Sequence, residues 1–370
     1  MHICVLNPYF YPYHGGTEKV LLNVYKRLSK KHEITVITSS MPGIKAPSSD
    51  YVEGIKVIRL QTSYISAPGL PLPYAMMKGL NDAITKEHAE IYHINNRYQY
   101  TMSNIRAIKK IGKLVLTIHN SLPKNIDFFT DLGGLAYDVL WGRRMMDESD
   151  MITGVSRYAI ISTVPEKDRH KSHVVYNGVD FNAYRPLNIR HREFVILNNG
   201  RLVKQKGQET LLKAFALLAR KYDAKLVIIG KGPLEHKLVK MAEKFGVEKQ
   251  FSIVSNIKEE SMPRYYYSAN VFVMPSLYEP AGMALIEAMA CETPSIASDV
   301  GGIPEVMGNC GVYIKPNDAD MIYNKLAFAL ENYNYMKKLA KCARRRVIQN
   351  NNWDSISKRY ERLFLGLEKR

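Results

Sequence analysis

The chain contains many short apolar runs that lack the polar alternation of a strand with one exposed face. Amphipathic segments with helical spacing, such as 17–32, separate most of them. The runs are 2–7, 34–39, 56–60, 90–95, 114–120, 151–156, 173–179, 194–200, 225–230, 251–255, 271–276, 294–298 and 311–316. Strands that are apolar on both faces and separated by helices are typical of parallel sheets covered on both sides. The sequence therefore predicts an α/β protein.

The pattern breaks into turn residues at 177–186 (NGVDFNAYRP) and then starts again. A chain of 370 residues is also too long for one ordinary core. We therefore predict two doubly wound, Rossmann-like domains, residues 1–187 and 188–352, with a cleft at the carboxyl ends of both sheets. The last amphipathic segment, 353–370, is expected to be a helix that crosses back to the first domain.

The net charge of +17 is spread over both halves of the chain rather than concentrated in one arm. Such a charge suits anionic small molecules or the surface of an anionic membrane. No motif that reads RNA or DNA accompanies it, so a nucleic-acid partner is not expected. The composition thus favours a ligand that carries phosphate.

Three further features indicate a cytoplasmic protein, with peripheral contact at the inner face of the membrane left open. No apolar run reaches the roughly 18 residues of a membrane span. The first residues lead directly into a strand-like run and show no signal-peptide pattern. The four cysteines lie in apolar contexts without metal-ligand spacing, which predicts buried, reduced thiols.

The stretch 271–304 (VFVMPSLYEPAGMALIEAMACETPSIASDVGGIP) is the most informative for chemistry. It predicts a strand, a turn, a helix and a second strand, with Glu279 on the turn and Glu287 in the helix. The first helical N–H groups, near Gly282, Met283 and Ala284, have no partner within a helix and can bind an anion. Taken alone, the two carboxylates suit an acid/base pair, a pair of ligand-binding groups, or merely solvated charges.

Four other residues at the ends of predicted strands are candidates for binding. Arg201 and Lys206, in the loop after 194–200, suit a diphosphate, since arginine makes forked contacts and lysine acts as a point charge. Gly16 precedes the first helix and permits close approach of a phosphate or sugar. His119 ends a buried strand and is a candidate hydrogen-bond donor to a substrate. Solvated loop charge, a tight turn and a structural histidine are the corresponding simpler interpretations.

Two patterns are more simply explained by structure than by function. The sequence Asp318–Ala319–Asp320 has the DxD form of metal-dependent sugar-nucleotide enzymes, but it opens a predicted helix, where an aspartate caps the first turn. The tyrosine clusters 265–267 and 9–13 are expected to pack rather than to stack on bases. We therefore predict no metal site.

Taken together, the motifs PYHGGTE, LTIHN, NGVD, GRLVKQKG, IIGKGP, VSN and EPAGMALIEAMACETPSIASDVGGIPEV resemble those of one family. The chain resembles the retaining GT-B glycosyltransferases of family 4 (glycosyl transferases group 1), nearly end to end. The last motif contains the E-x7-E signature of that family, formed here by Glu279 and Glu287.

The resemblance implies a role for each candidate residue. Arg201 and Lys206 would bind the donor diphosphate, Glu287 the ribose, and Glu279 hydroxyls of the donor sugar. The other implied donor contacts are the backbone of Gly282, Met283 and Ala284, Gly16 over the diphosphate, His119 at the sugar and Ile257 near the nucleobase. His119, Glu279, Arg201 and Lys206 would be the catalytic set.

The implied activity is a metal-independent, retaining hexosyl transfer (EC 2.4) from a UDP-, GDP- or ADP-sugar to a hydroxyl acceptor, without a cofactor. The apolar segment 64–77 and the basic residues Arg106, Lys109, Lys110 and Lys113 suit a lipid-linked acceptor at an anionic membrane, or merely a loop and a solvated helix face. The alternatives are a sugar-nucleotide epimerase, a pyridoxal-phosphate phosphorylase, and a non-catalytic basic protein that binds nucleotides or nucleic acid.

Overall fold

The computed structural model describes residues 1–13, 15–41, 43–65, 74–95, 97–120, 138–187 and 193–368, together with Leu132 and Leu135. The chain divides into two compact units, Met1–Asn177 with Trp353–Arg370, and Gly178–Asn352. This division lies a little before the predicted boundary at 187/188.

Seven of the ten strands described in the first unit overlap the predicted apolar runs. They are β1 His2–Leu6, β2 Glu33–Ser39, β3 Ser49–Val52, β4 Ile55–Leu60, β5 Thr62–Ile65, β6 Tyr74–Met77, β7 Ile91–Ile94, β8 Lys113–Ile118, β9 Met151–Gly154 and β10 Ser172–Val174. Within the described residues, eight of them form one sheet in the order β10-β9-β8-β7-β1-β2-β4-β3, and β5 pairs with β6. Each pairing of the large sheet is parallel except that of β3 with β4. The predicted parallel sheet is therefore confirmed, with an antiparallel edge strand.

In the second unit the strands are β11 Phe194–Asn199, β12 Ala224–Ile229, β13 Phe251–Val254, β14 Val271–Met274, β15 Ser295–Ser298 and β16 Val312–Ile314. They form a parallel sheet in the order β13-β12-β11-β14-β15-β16. The chain order therefore reverses between β11 and β14. In open α/β sheets such a switch point, at the carboxyl ends of the strands, is where ligands bind.

The helices cover the sheets and alternate with most of the strands. They are α1 Gly16–Leu28, α2 Leu80–Glu87, α3 Met102–Lys109, α4 Arg143–Glu148, α5 Arg157–Thr163, α6 Gln208–Leu218, α7 Glu235–Phe245, α8 Met262–Tyr267, α9 Met283–Ala290, α10 Ile303–Met307, α11 Ala319–Glu331, α12 Tyr333–Asn350 and α13 Trp353–Glu368. No helix within the described residues is long and apolar enough to span a membrane.

The C-terminal helix α13 belongs to the first unit, as predicted. It packs on α1, where Arg27 Nε lies 2.6 Å from Asp354 Oδ1. Its inner face carries the buried Tyr360 and Phe364, whose rings lie 5.6 Å from the ring of the buried His93. The helix therefore completes the apolar face of the first sheet.

The second sheet separates two apolar layers. Successive residues of β11 point to opposite faces, so that Ile196 packs against α6 and α11 while Leu197 packs against α9. Both side chains are almost completely buried. This two-sided burial is the physical reason why the strands read as continuous apolar runs.

Two predictions need correction. Cys310 and Cys342 form a disulfide that joins α12 to the loop before β16, so they are not reduced thiols. Cys4 and Cys291 are buried free thiols, as expected. The segment 64–77 is not one apolar loop, because its ends belong to β5 and β6; residues 66–73 lie outside the described part of the chain.

Candidate active site

The loop after β11 carries Arg201 and Lys206 at the switch point of the second sheet. Its path is set by close backbone contacts: a Cβ at Gly207 would lie 2.1 Å from the carbonyl oxygen of Pro275, after β14. Gly207 also has φ +68°, which glycine adopts without strain. The glycine therefore allows the β11 loop to contact the β14 loop directly. Arg201 is exposed there and Lys206 is half-buried.

Lys206 meets Glu279, which lies on the turn after β14. The Lys206 Nζ atom is 2.5 Å from Oε2 of the nearly buried Glu279, and the Gly282 N–H donates to Oε1 at 3.2 Å. The turn itself rests on Gly301, where a Cβ would lie 2.1 Å from the carbonyl oxygen of Glu279. The Gly302 N–H donates to that same oxygen at 2.9 Å. These contacts hold the carboxylate and the ammonium group in one place.

Helix α9 begins directly beside this ion pair. Gly282 precedes it with φ +66° and contributes no side-chain cap. Met283 and Ala284, its first two residues, are partly exposed, whereas most of the helix is buried. The N–H groups of the first turn have no partner within the helix, and the helix dipole favours negative charge at this end. The start of α9 is thus suited to hold a phosphate or a sugar hydroxyl.

Glu287, on the second turn of α9, is also nearly buried and takes part in a short chain of hydrogen bonds. The Tyr266 hydroxyl donates to Glu287 Oε2 at 2.7 Å, and Asn199 Nδ2 donates to the tyrosine oxygen at 2.7 Å. Asn199 is the last residue of β11. Tyr266 was expected to pack, and its ring does so, against Phe272 and Tyr184. The role of its hydroxyl was not predicted.

Ile257 also belongs to the second unit, but it follows a strand other than β11 and β14. It follows β13, which is separated from β11 by β12, and it packs on the apolar layer that contains Leu197. The preceding Asn256 has φ +59° and turns the chain after the strand. The structure thus places the predicted nucleobase contact two strands from the switch point.

In the first unit, Gly16 begins α1 after the β1 loop. It is exposed, and a Cβ built on it would meet no described atom within 4 Å. Gly15 is different, because a Cβ there would lie 2.3 Å from Glu18 Oε2. Glu18 is buried and accepts a hydrogen bond from Asn7 Nδ2 at 3.2 Å. Burial raises the pKa of Glu18 to about 7.

His119 follows β8 and contacts Asn95, which follows the neighbouring β7. Asn95 Nδ2 donates to the carbonyl oxygen of His93 at 3.3 Å, so its Oδ1 accepts, and His119 Nε2 lies 3.1 Å from that oxygen. With the Asn95 amide in this orientation, His119 Nε2 is the donor and carries the proton. Desolvation lowers the pKa of His119 to about 4, so that the ring is neutral at pH 7. With Nε2 donating to Asn95, Nδ1 is a hydrogen-bond acceptor.

The DxD sequence 318–320 caps a helix and the tyrosines of 9–13 pack on each other, as predicted. Asp318 caps α11, where its Oδ1 accepts from the Met321 N–H at 2.8 Å. Tyr9 and Tyr13 pack with ring centroids 5.3 Å apart.

Seven of the predicted site residues thus lie on the loops that follow β11 and β14 or in the helix α9. They are Arg201, Lys206, Glu279, Gly282, Met283, Ala284 and Glu287. Gly16 and His119 belong to the first unit, at the carboxyl ends of β1 and β8. Sequence reasoning missed Asn7, Glu18, Asn95, Asn199 and Tyr266. Polar residues at the ends of buried strands were the signal for three of these.

Two family models match consecutive parts of this chain. The model for Glycosyltransferase Family 4 matches residues 14–183, and the model for Glycosyl transferases group 1 matches residues 181–346. The second match covers the loops after β11 and β14. This chain belongs to the group 1 glycosyltransferases. It is therefore a glycosyl-transferring enzyme (EC 2.4), and the family and enzyme class predicted from the motifs are confirmed.

Similar proteins match this glycosyltransferase over nearly its whole length. N-acetyl-alpha-D-glucosaminyl L-malate synthase of Bacillus anthracis is 25% identical over 96% of this chain and 94% of its own. The sucrose-phosphate synthase structure from Thermosynechococcus elongatus superposes with a TM-score of 0.76 at 20% identity, over 99% of this chain and 98% of that one. The Anabaena protein HepE in complex with UDP-glucose gives 0.76 at 18% identity, over 99% and 100%. These structures confirm the GT-B fold.

Proposed function

We propose that this group 1 glycosyltransferase, which uses a nucleotide sugar, transfers a hexose from a UDP-, GDP- or ADP-sugar to a hydroxyl acceptor with retention of configuration. The observation that carries the proposal is the switch point of the second sheet. There the Arg201 loop, the Lys206–Glu279 pair and the uncapped start of α9 occupy the carboxyl ends of β11 and β14.

The charges at this edge suit a nucleoside diphosphate as leaving group. Negative charge develops on the diphosphate as the bond to the sugar breaks, and preorganised cations and N–H groups stabilise such charge. Arg201 is exposed and able to contact phosphate oxygens in a forked manner, and Lys206 adds a second cation. Two cations and a helix start supply this stabilisation without a metal ion or cofactor.

Glu279 and Glu287 then accept hydrogen bonds from hydroxyl groups of the donor, rather than acting as an acid/base pair. Glu279 is held by Lys206 and Gly282, so its position is defined before a sugar binds. Glu287 is held by Tyr266, and a carboxylate in a helix near the diphosphate suits ribose hydroxyls. Departure of the diphosphate and attack of the acceptor on the same face of the sugar would retain the configuration.

Two of the similar proteins support the choice of substrates. The Anabaena structure contains UDP-glucose, which makes UDP-glucose the first donor to test. The Bacillus anthracis relative is named for an alpha-D-glucosaminyl product of L-malate, a small molecule with a hydroxyl group. An α-linked product and a small, glycan or lipid-linked hydroxyl acceptor are therefore included in the proposal.

Part of the predicted basic surface of the first unit is neutralised within the chain. Lys109 Nζ lies 3.1 Å from Asp150 Oδ2, and Lys113 Nζ lies 3.9 Å from Oδ1 of the same residue. Arg106 on α3 and Lys110, directly after that helix, are exposed. Contact with an anionic membrane would therefore depend on Arg106 and Lys110. Sedimentation with anionic vesicles at low salt tests this, and an unchanged supernatant would contradict membrane contact.

A thermal-shift panel of UDP, GDP, ADP and their sugars tests the donor class. A ligand that binds only the folded protein raises its melting temperature by mass action. We expect one nucleoside diphosphate and its sugars to raise Tm in wild type and much less in Lys206→Ala. The neighbouring exposed Lys204→Ala is the matched control. A wild-type Tm that responds to none of these ligands at millimolar concentration would contradict the proposed function.

A further inference from the structure

A carboxylate that binds two ribose hydroxyls must have the correct orientation as well as the correct position. Glu287 has three side-chain torsions, and each torsion that is free before binding costs entropy when the ligand orders it. Glu287 Oε2 accepts a 2.7 Å hydrogen bond from the buried Tyr266 hydroxyl. This bond fixes one end of the carboxylate before any nucleotide arrives.

The direction of the hydrogen bonds follows from the chemistry of the three groups. An ionised carboxylate only accepts, so the single Tyr266 proton goes to Glu287. The tyrosine oxygen then accepts from the amide of Asn199, at 2.7 Å. The chain therefore runs one way, from Asn199 through Tyr266 to Glu287. A donor that itself accepts a hydrogen bond is polarised and donates more strongly.

The Tyr266 ring cannot easily leave this position. It is fully buried, its centroid lies 5.9 Å from that of Tyr184 and 5.7 Å from that of Phe272, and its carbonyl oxygen accepts from Thr293 Oγ1 at 2.8 Å. Burial and the neighbouring Glu287 carboxylate raise the pKa of the Tyr266 hydroxyl well above its usual value, so the hydroxyl keeps its proton. It is therefore a permanent donor.

Asn199 connects this arrangement to the loop that is proposed to bind the diphosphate. It ends β11 and is followed directly by Gly200 and Arg201. The strand that positions Arg201 thus also positions the tyrosine that holds Glu287. A rigid strand transmits this spacing better than a loop. The backbone of β11 pairs with β12 as far as Asn199, and with β14 at Ile196 and Leu197.

We propose that Tyr266 is a positioning residue for the nucleotide: its hydroxyl, held by Asn199, fixes the Glu287 carboxylate in the orientation that accepts the ribose hydroxyls. This inference rests on the proposed function, since it requires Glu287 to bind ribose. It predicts that Tyr266 affects the recognition of ribose without touching the nucleotide.

The test compares a ribonucleotide with an analogue that lacks the ribose hydroxyls. The nucleoside diphosphate that raises Tm most, and its 2′,3′-dideoxy form, are titrated calorimetrically into wild type, Tyr266→Phe, Glu287→Gln and the double variant. We expect Tyr266→Phe to lower the affinity for the ribonucleotide roughly tenfold, which is the effect of losing one hydrogen bond to a charged group. The affinity for the dideoxy analogue should not change. Adding Tyr266→Phe to Glu287→Gln should not reduce the preference for ribose further.

Two matched variants separate positioning from folding. Tyr267→Phe removes a hydroxyl from the next residue of the same helix and should leave the preference for ribose unchanged. Asn199→Ala leaves the tyrosine in place, so it keeps the experiment valid if Tyr266→Phe does not fold. It should also lower the affinity for the ribonucleotide, but by less than Tyr266→Phe.

Three results would overturn the inference. If Tyr266→Phe weakens the two nucleotides equally, the hydroxyl serves only the fold. If Glu287→Gln abolishes the preference for ribose and Tyr266→Phe does not change it, Glu287 binds ribose without help, and only this inference fails. If wild type binds no nucleoside diphosphate, or if Glu287→Gln keeps the full preference, the proposed function of the site fails together with it.

Discussion

Lys206 and Glu279 lie 73 positions apart in the sequence, and their side chains meet at 2.5 Å between Nζ and Oε2. Each comes from the loop after a different strand, β11 or β14, and these strands are neighbours at the switch point of the sheet. Both side chains are largely shielded from water, so each depends on the other for compensation of its charge. A nucleotide sugar that accepts hydrogen bonds from Lys206 and donates them to Glu279 would find both groups already in place.

Replacing Lys206 by alanine should lower kcat/KM for sugar transfer by roughly 100-fold or more, the usual effect of losing a group that stabilises charge in the transition state. The variant also leaves Glu279 without its lysine partner. The double variant Lys206→Met with Glu279→Gln should therefore lose less kcat/KM than the combined losses of the single variants Lys206→Met and Glu279→Gln predict. Steady-state kinetics with the donor found in the thermal-shift panel measure both effects. Lys204→Ala is the control, and full transfer by Lys206→Ala would exclude the proposed diphosphate site.

Replacing Gly301 by alanine should displace the Glu279 turn. The new Cβ would lie 2.1 Å from the Glu279 carbonyl oxygen, at φ +60°. Gly246→Ala is matched to it, since Gly246 has φ +71° in the same unit but no described atom within 4 Å of the new Cβ. We expect Gly246→Ala to cost about 1 kcal/mol of backbone strain and to keep transfer activity. Gly301→Ala should lose both more stability and most activity, and equal effects in melting and kinetic assays would contradict the close contact.

Replacing Glu18 by glutamine should stabilise the protein increasingly as the pH rises. The folded-state pKa of Glu18, about 7, lies above the value of an exposed glutamate, so between about pH 4.5 and 7 the folded state binds more protons than the unfolded state. Stability therefore falls as pH rises through this window, by on the order of 3 kcal/mol for this group. The Tm difference between Glu18→Gln and wild type should grow from pH 5 to pH 8.

Glu33→Gln serves as the control for that measurement, because Glu33 is exposed at the start of β2. It is melted over the same pH range. A Tm difference for Glu18→Gln that does not change from pH 5 to pH 8 would show that the Glu18 carboxyl is ionised in the folded protein throughout.

His119 should remain neutral, with its proton on Nε2, from pH 8 to about pH 5. Its folded-state pKa of about 4 lies below that of an exposed histidine, so this group lowers stability only as the pH falls from about 6.5 towards 4. The ring nitrogen resonances of histidine-labelled protein measure both the tautomer and the pKa, with His119→Gln to assign the signals. Asn95→Leu should remove the preference for the Nε2 proton. A titration of His119 near pH 6.5 in wild type would contradict the desolvated environment.

The predicted apolar runs correspond closely to strands because buried parallel strands need apolar residues on both faces. The strands that were not predicted are β3, β5 and β6, which are short and lie in antiparallel pairs. β3 and β5 alternate between half-buried and exposed residues. Their stability comes from a partner strand rather than from a pattern of their own. The disulfide between Cys310 and Cys342 was missed for a similar reason, since only the packing of α12 brings these residues together.

The sequence by itself determined the class of fold and the family, because continuous apolar strands and the E-x7-E motif with its neighbouring glycines are local patterns. The roles of the site residues stay predictions. Only the tertiary structure decided which side chains touch. It joined Lys206 to Glu279, linked Asn199 through Tyr266 to Glu287, and brought His119 Nε2 to Asn95 Oδ1. The physical reason is that these contacts depend on the order of strands in each sheet and on burial, and neither is written in a short stretch of sequence.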